Sequence, residues 1–199
     1  VVIETGDGRS DTYKKFGKEF EAPAGVFSKV EEYESGKYRL TEKSGEQYFF
    51  DDAKYGKVTA MTDRNGNKTI FTYQDSLLVR VQDAVGHTIN LSYTDGLLRK
   101  ATASFHKGSI SYEYDGLRRL KKRTDALGNS TLYSYDKQNR LCEITDANGH
   151  KTLIAYNNSG MVSRMKTDVS DKSIRYEGDK TVFIDYTAPQ NQYSYYRWD

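Results

Sequence analysis

The stretch Tyr112–Asn157, YEYDGLRRLKKRTDALGNSTLYSYDKQNRLCEITDANGHKTLIAYN, states one phrase twice and begins it a third time, so it sets a period for the chain. Taking the last aromatic of each unit as its anchor, the phrase extends to Tyr73, Tyr93, Tyr114, Tyr135 and Tyr156, at intervals of 20, 21, 21 and 21 residues. A turn glycine precedes each anchor by six or seven residues: Gly66, Gly86, Gly108, Gly128 and Gly149. An aspartate lies three before most of these glycines, as Asp63, Asp83, Asp125 and Asp146, and Ser104 stands in for it in the third unit.

Two residues before each anchor comes Phe71, Leu91, Tyr112, Tyr133 or Ile154, and small or polar residues such as Thr72, Ser92, Glu113 and Ser134 lie between. That period of two predicts a strand with one buried face. Asp, Gly, Asn and Ser follow the anchors, so a tight reversal is expected there. A second strand is keyed by Leu78, Leu98, Leu120, Leu141 and Val162, with its next inward position three residues later, which predicts a bulge. Each unit is therefore a hairpin, and the D-x-x-G step turns the chain into the next one. Hairpins of this size cannot bury one face alone and must stack edge to edge.

The units resemble the YD, or RHS, repeat family, on the Tyr-Asp dipeptides Tyr114-Asp115 and Tyr135-Asp136 and on YDKQNRLCEITDANG, which follows the family pattern YD-x-x-GRL-x-x-x-TD-x-x-G. Asn139 replaces its turn glycine, and Asn is the next best residue at positive φ. The resemblance covers roughly residues 36–168. The fold expected is all-β: an antiparallel meander of hairpins forming a twisted, curled single sheet, part of a repeat shell. The chain reads as one domain, 1–199, with cap strands at 1–35 covering the first sheet edge, repeats at 36–168 and degenerate strands at 169–199.

Composition limits the function. With 30 basic and 28 acidic residues among 199, the chain has almost no net charge to draw it to nucleic acid. Hydrophobic content is 36% while tyrosine reaches 17 copies, which fits a thin sheet with one wet face. No apolar run approaches the ~18 residues of a membrane span. The lone Cys142 falls at an outward or bulge position and reads as incidental. The chain starts at Val1 rather than Met, so an excised piece of a longer protein is expected.

No chemistry is assembled by motif. His87, His106 and His150 are dispersed, the DRNGN and DANGH loops lack the closing glutamate of a calcium loop, and no nucleophile elbow or phosphate loop is present. The expectation is no catalytic residue, no metal and no cofactor, with the anchors, glycines and aspartates above acting as structural repeat positions. The resemblance implies a wall segment of a shell that encloses a C-terminal toxin or effector, with the rest of the parent array and that effector as partners, in a secreted or bacterial cell-surface protein. The alternative is a carbohydrate-binding or adhesion module, a polysaccharide stacking on exposed tyrosines such as Tyr193 and Tyr195, with Trp198 nearby. Cut from its parent, the strip is also expected to hide its Tyr-Leu side by folding over or by self-association, its C-terminal edge near Tyr186 to Tyr196 offering backbone to a second copy.

Overall fold

Polar reversals every ten residues or so, with alternation between them, leave no segment able to form a helix with one apolar stripe. The computed structural model describes residues 1–17, 19–52, 54–187 and 192–197; Trp198 and the side chain of Tyr195 lie outside them. Among the described residues the chain is built of β-strands and turns, with no helix. Residues 1–107 and 108–199 pack as two compact units, and no proline or linker marks that division.

The first unit opens with two separate hairpins, β1 (Val2–Glu4) with β2 (Ser10–Thr12) and β3 (Lys14–Phe16) with β4 (Glu19–Glu21). A meander follows: β5 (Lys29–Glu34), β6 (Lys37–Thr41), β7 (Gln47–Phe50), β8 (Ala60–Thr62), β9 (Lys68–Gln74), β10 (Leu77–Gln82), β11 (Thr88–Thr94) and β12 (Leu97–Ala103). Each strand is antiparallel to the next. The second unit continues the same way with β13 (Ser109–Tyr114), β14 (Leu120–Thr124), β15 (Ser130–Tyr135), β16 (Leu141–Thr145), β17 (Lys151–Tyr156), β18 (Val162–Lys166), β19 (Asp171–Glu177), β20 (Lys180–Asp185) and β21 (Gln192–Arg197).

The register explains the spacing of three. Tyr135 faces Leu141 and Ser134 faces Glu143, so Cys142 is the extra residue of a bulge. The same step leaves out Val79, Arg99, Lys121 and Ser163 in the other hairpins. A bulge on the second strand of these five hairpins adds twist each time, whereas β19–β20 runs in continuous register.

Along β17, Thr152, Ile154 and Tyr156 are partly covered while Lys151, Leu153 and Ala155 are exposed, as period two requires. The anchor face is half-buried, however, where the sequence suggested a core. Its side chains are covered by neighbours within one sheet layer, and one layer shields a face only in part. The fully enclosed large side chain among the described residues is Tyr13, between β2 and β3. It clusters with Ile3, Val30 and Leu40, and its hydroxyl lies 2.6 Å from that of Ser28. The N-terminal hairpins thus lie on the face of β5 and β6 and do not extend their hydrogen-bonded edge, because Ile3 and Tyr13 offer apolar side chains to Val30 and Leu40. The meander itself already begins at Lys29.

Gly108 differs from its supposed equivalents. Its φ is not positive, and a Cβ there would stand 2.4 Å from the Ala126 carbonyl oxygen. It is a close-approach glycine; the turn of this unit lies earlier, where the His106 N–H donates to the Ala103 carbonyl at 3.4 Å, and the Ser104 hydroxyl accepts the Thr88 N–H of β11 at 2.9 Å.

Candidate functional site

One five-residue loop recurs at both ends of the strands. In Asp136–Arg140 the Asp136 N–H donates to the Arg140 carbonyl at 2.8 Å and the Asn139 N–H to the Asp136 carbonyl at 3.1 Å. Asp136 Oδ1 then accepts the N–H groups of Gln138 and Arg140, both at 2.9 Å. Asp63, Asp83, Asp115, Asp125 and Asp146 build the same loop, as does Asn157. The aspartate of the Tyr-Asp dipeptide and that of D-x-x-G therefore do one job, capping donors that a tight turn would otherwise leave unpaired. The fourth residue needs a left-handed backbone: Gly66, Gly86, Gly128 and Gly149 supply it, with φ between 84° and 93°, and Asn139 at 65° does so as its chemistry suggested. Arg118, also at 65°, takes this role after Tyr114, and Gly116 does not.

The fifth residue reaches back to the second carboxylate oxygen. Asn67 and Asn129 donate amide N–H groups there, at 2.7 and 3.1 Å, and Arg119 and Arg140 donate Nε–H, each at 2.8 Å. These contacts hold the carboxyls of Asp63, Asp115 and Asp125 below the usual range, the side-chain donors of Asn67, Arg119 and Asn129 being the largest causes. For Asp136 the backbone N–H of Arg140 comes first.

From these loops a ladder crosses the hairpins. The phenol of Tyr135 donates to the Leu120 carbonyl at 2.8 Å and that of Tyr156 to the Leu141 carbonyl at 2.7 Å, each fifteen residues back. Tyr73 and Tyr93 do the same to Val58 and Leu78, at 3.0 and 2.8 Å, and Tyr176 extends the row to Val162 at 3.0 Å. Burial raises the phenol pKa of Tyr73 and Tyr135. Arg119 lies over the Tyr135 ring at 4.5 Å and Arg140 over Tyr156 at 4.4 Å, while each is paired with the aspartate of its own loop. Arg119 also donates to the Asn139 side chain of the next hairpin at 2.8 Å. In Tyr135–Leu141 every motif residue of Y-D-x-x-x-R-L thus has a partner: Tyr135 on the Leu120 carbonyl, Asp136 on its loop and Arg140, Arg140 on Tyr156, and the Leu141 carbonyl on the Tyr156 phenol.

Tyr114 closes β13 opposite Leu120, in the place its period assigns. The phenol-to-carbonyl bonds and the arginines were not drawn from the sequence. Their signal is present in it: the key residue and the next anchor stand fifteen apart at 58 and 73, 78 and 93, 120 and 135, and 141 and 156. Among the described residues no cluster of three or more potential metal ligands forms, and no helix is long and apolar enough to cross a membrane. His87 and His150 pair singly, with Asp83 at 3.0 Å and Asp168 at 2.6 Å.

Residues 114–151 match the RHS repeat family model. The solved structure of TcdB2-TccC3 is similar over 98% of this chain, with a TM-score of 0.59 and 14% identity. TcdB2-TccC3 without its hypervariable C-terminal region gives 0.56 and 14% over the same share. The chain spans 14% of the length of either. No curated protein matches. The antiparallel meander is the fold of those structures, and the loops that begin at Asp115, Asp125, Asp136 and Asp146, with Arg119 and Arg140, fall within the matched RHS residues.

Proposed function

We propose that this chain is a non-catalytic wall segment: a strip of RHS repeats that, with the rest of its parent array, forms a β-sheet shell around a C-terminal effector of a secreted or cell-surface protein. The observation that carries this reading is the ladder. Its aspartates, arginines and tyrosines, the polar residues that a catalytic site would otherwise claim, are engaged in joining one hairpin to the next. A repeat whose polar groups are spent on its neighbours extends indefinitely and encloses by accumulation. The likeness to TcdB2-TccC3, a protein with a hypervariable C-terminal region by its own description, supports an array that ends in a variable cargo.

The test is limited proteolysis of the intact parent. Its C-terminal region should resist protease in the native array and become cleavable when the ladder is cut by a Tyr135→Ala, Tyr156→Ala double variant. Equal cleavage in both would remove enclosure while leaving the repeat reading intact. A carbohydrate-binding role has one local feature in its favour, a groove of about 340 Å³ where Tyr193 and Tyr196 are both more than half exposed beside Phe183 and Gln192. A glycan array on the wild type and on Tyr193→Ala separates that reading.

A further inference from the structure

The slot over an anchor tyrosine is filled from within the chain in three hairpins: Lys57 over Tyr73 at 4.7 Å, Arg119 over Tyr135 and Arg140 over Tyr156. Each of these cations comes immediately before the residue whose carbonyl accepts the tyrosine hydroxyl. For Tyr93 that place is held by Leu77, and among the described residues no cation lies over its ring.

The space remains. A groove of about 520 Å³ runs between the turns at Asp75-Ser76 and Asp95-Gly96, lined by Asp75, Leu77, Val79, Leu91 and Tyr93 among others. The Tyr93 ring is fixed there by its bond to the Leu78 carbonyl. The Asp75 carboxylate has no hydrogen-bond or ion-pair partner among the described residues; the nearby Lys57 spends its ammonium on the carbonyls of Ser76, at 2.6 Å, and Asp75, at 3.5 Å. One hairpin earlier the equivalent groove, about 510 Å³, is lined by Lys57, Val58 and Tyr73 together with the chain's own Val1–Glu4. An extended segment of the chain, the strand Val2–Glu4, thus already forms one wall of the neighbouring groove.

We propose that the Tyr93 groove binds the guanidinium of an arginine carried on an extended polypeptide segment, completing the rung that Leu77 leaves open. The negative face of the ring and the Asp75 carboxylate attract a cation, and Leu77, Val79 and Leu91 receive its methylene stem. A flat, weakly hydrated guanidinium suits stacking over a ring better than an ammonium, and it is the group used at Tyr135 and Tyr156. The site stands whether or not the parent encloses an effector.

The experiment is an amide chemical-shift titration of the 199-residue chain, following Leu77 and Ser92, with acetyl-Val-Arg-Val-amide. The same peptide carrying citrulline, which keeps the shape and removes the charge, and methylguanidinium are the comparison probes. The arginine peptide should give saturable shifts. Citrulline, or Asp75→Asn with the arginine peptide, should weaken binding about tenfold or more, and Leu77→Arg should abolish it by filling the slot from inside. No saturable shift, equal binding of the citrulline peptide, or undiminished binding to both variants would overturn the site. Methylguanidinium binding as tightly as the peptide would overturn the polypeptide as its ligand.

Discussion

The hairpins β9–β10 and β11–β12 reverse through two residues, Asp75-Ser76 and Asp95-Gly96, whereas β15–β16 and β17–β18 reverse through the five-residue loop. Both keep the anchor tyrosine opposite its key residue, Tyr73 to Leu78 and Tyr135 to Leu141. They differ in what the turn can do beyond turning. The short turn has two residues at positive φ in one case and one in the other, and its backbone carries the cost alone. The long loop brings a capping side chain, Asn157 in β17–β18 and an aspartate in the others, and, in Asp115–Arg119 and Asp136–Arg140, an arginine that reaches the next tyrosine. Turn chemistry and coupling between repeats are thus one device in the second unit and separate matters in the first.

The widest separation between the two kinds should come from their tyrosines. Tyr135→Ala removes a half-buried ring, its bond to Leu120 and the surface on which Arg119 stacks, and should cost about 2–4 kcal/mol in chemical denaturation. Tyr93→Ala loses the equivalent bond but no stacked cation, and should cost about 0.5–1 kcal/mol less. Equal losses would mean that the arginine contributes nothing to the rung.

A smaller effect is expected from converting one kind into the other. Arg140→Leu copies the residue found at Leu77, so it should lower the melting midpoint by less than either tyrosine truncation, since ion pairs this close to solvent contribute little. The informative quantity is its coupling to Tyr156→Phe. A double-mutant cycle should be non-additive, because the guanidinium and the phenol share one ring, and strict additivity would uncouple them.

Acid should produce the smallest difference. The carboxyls of Asp63, Asp115, Asp125 and Asp136 are held below 3.8 in the folded chain. Their stabilisation is therefore complete above the unfolded value and is lost as pH falls through the lower folded one. Replacing Asp136 by Asn keeps a capping carbonyl and removes the charge, so its stability curve should be flatter than wild type below about pH 4. His150 works in the opposite sense. Its hydrogen bond to Asp168 and the charges of Asp146 and Asp168 raise its pKa above 6.5, so that contribution is present below 6.5 and fades as pH rises through the folded value. A stability curve that rose on acidification below pH 4 would contradict the loop assignment.

The period, the faces and the bulges were legible because each is a matter of which side chain recurs where. Asn139 was legible for the same reason, since only a few residues accept its backbone conformation. What escaped involved a partner that sequence does not name. A backbone carbonyl accepting from Tyr156 has no letter, and Arg140 looks like any exposed charge until the ring of the next hairpin is set beneath it. Gly108 kept the spacing of a turn glycine while answering to Ala126, a residue of the loop between β14 and β15. The N-terminal hairpins were expected at an edge because repeats need their edges covered. Their Ile3 and Tyr13 placed them on a face.

The bulge and the interchangeable turns carry a consequence for how such a chain can change length. In most sheets the loss or gain of a single residue is ruinous, since it turns every later side chain to the opposite side. Between anchor and key residue this array accepts four residues, as from Tyr73 to Leu78, or five, as from Tyr135 to Leu141, with the same two side chains facing each other. A one-codon deletion at that point is absorbed where it occurs. Such a gene can drift in length, hairpin by hairpin, without its product ever turning inside out.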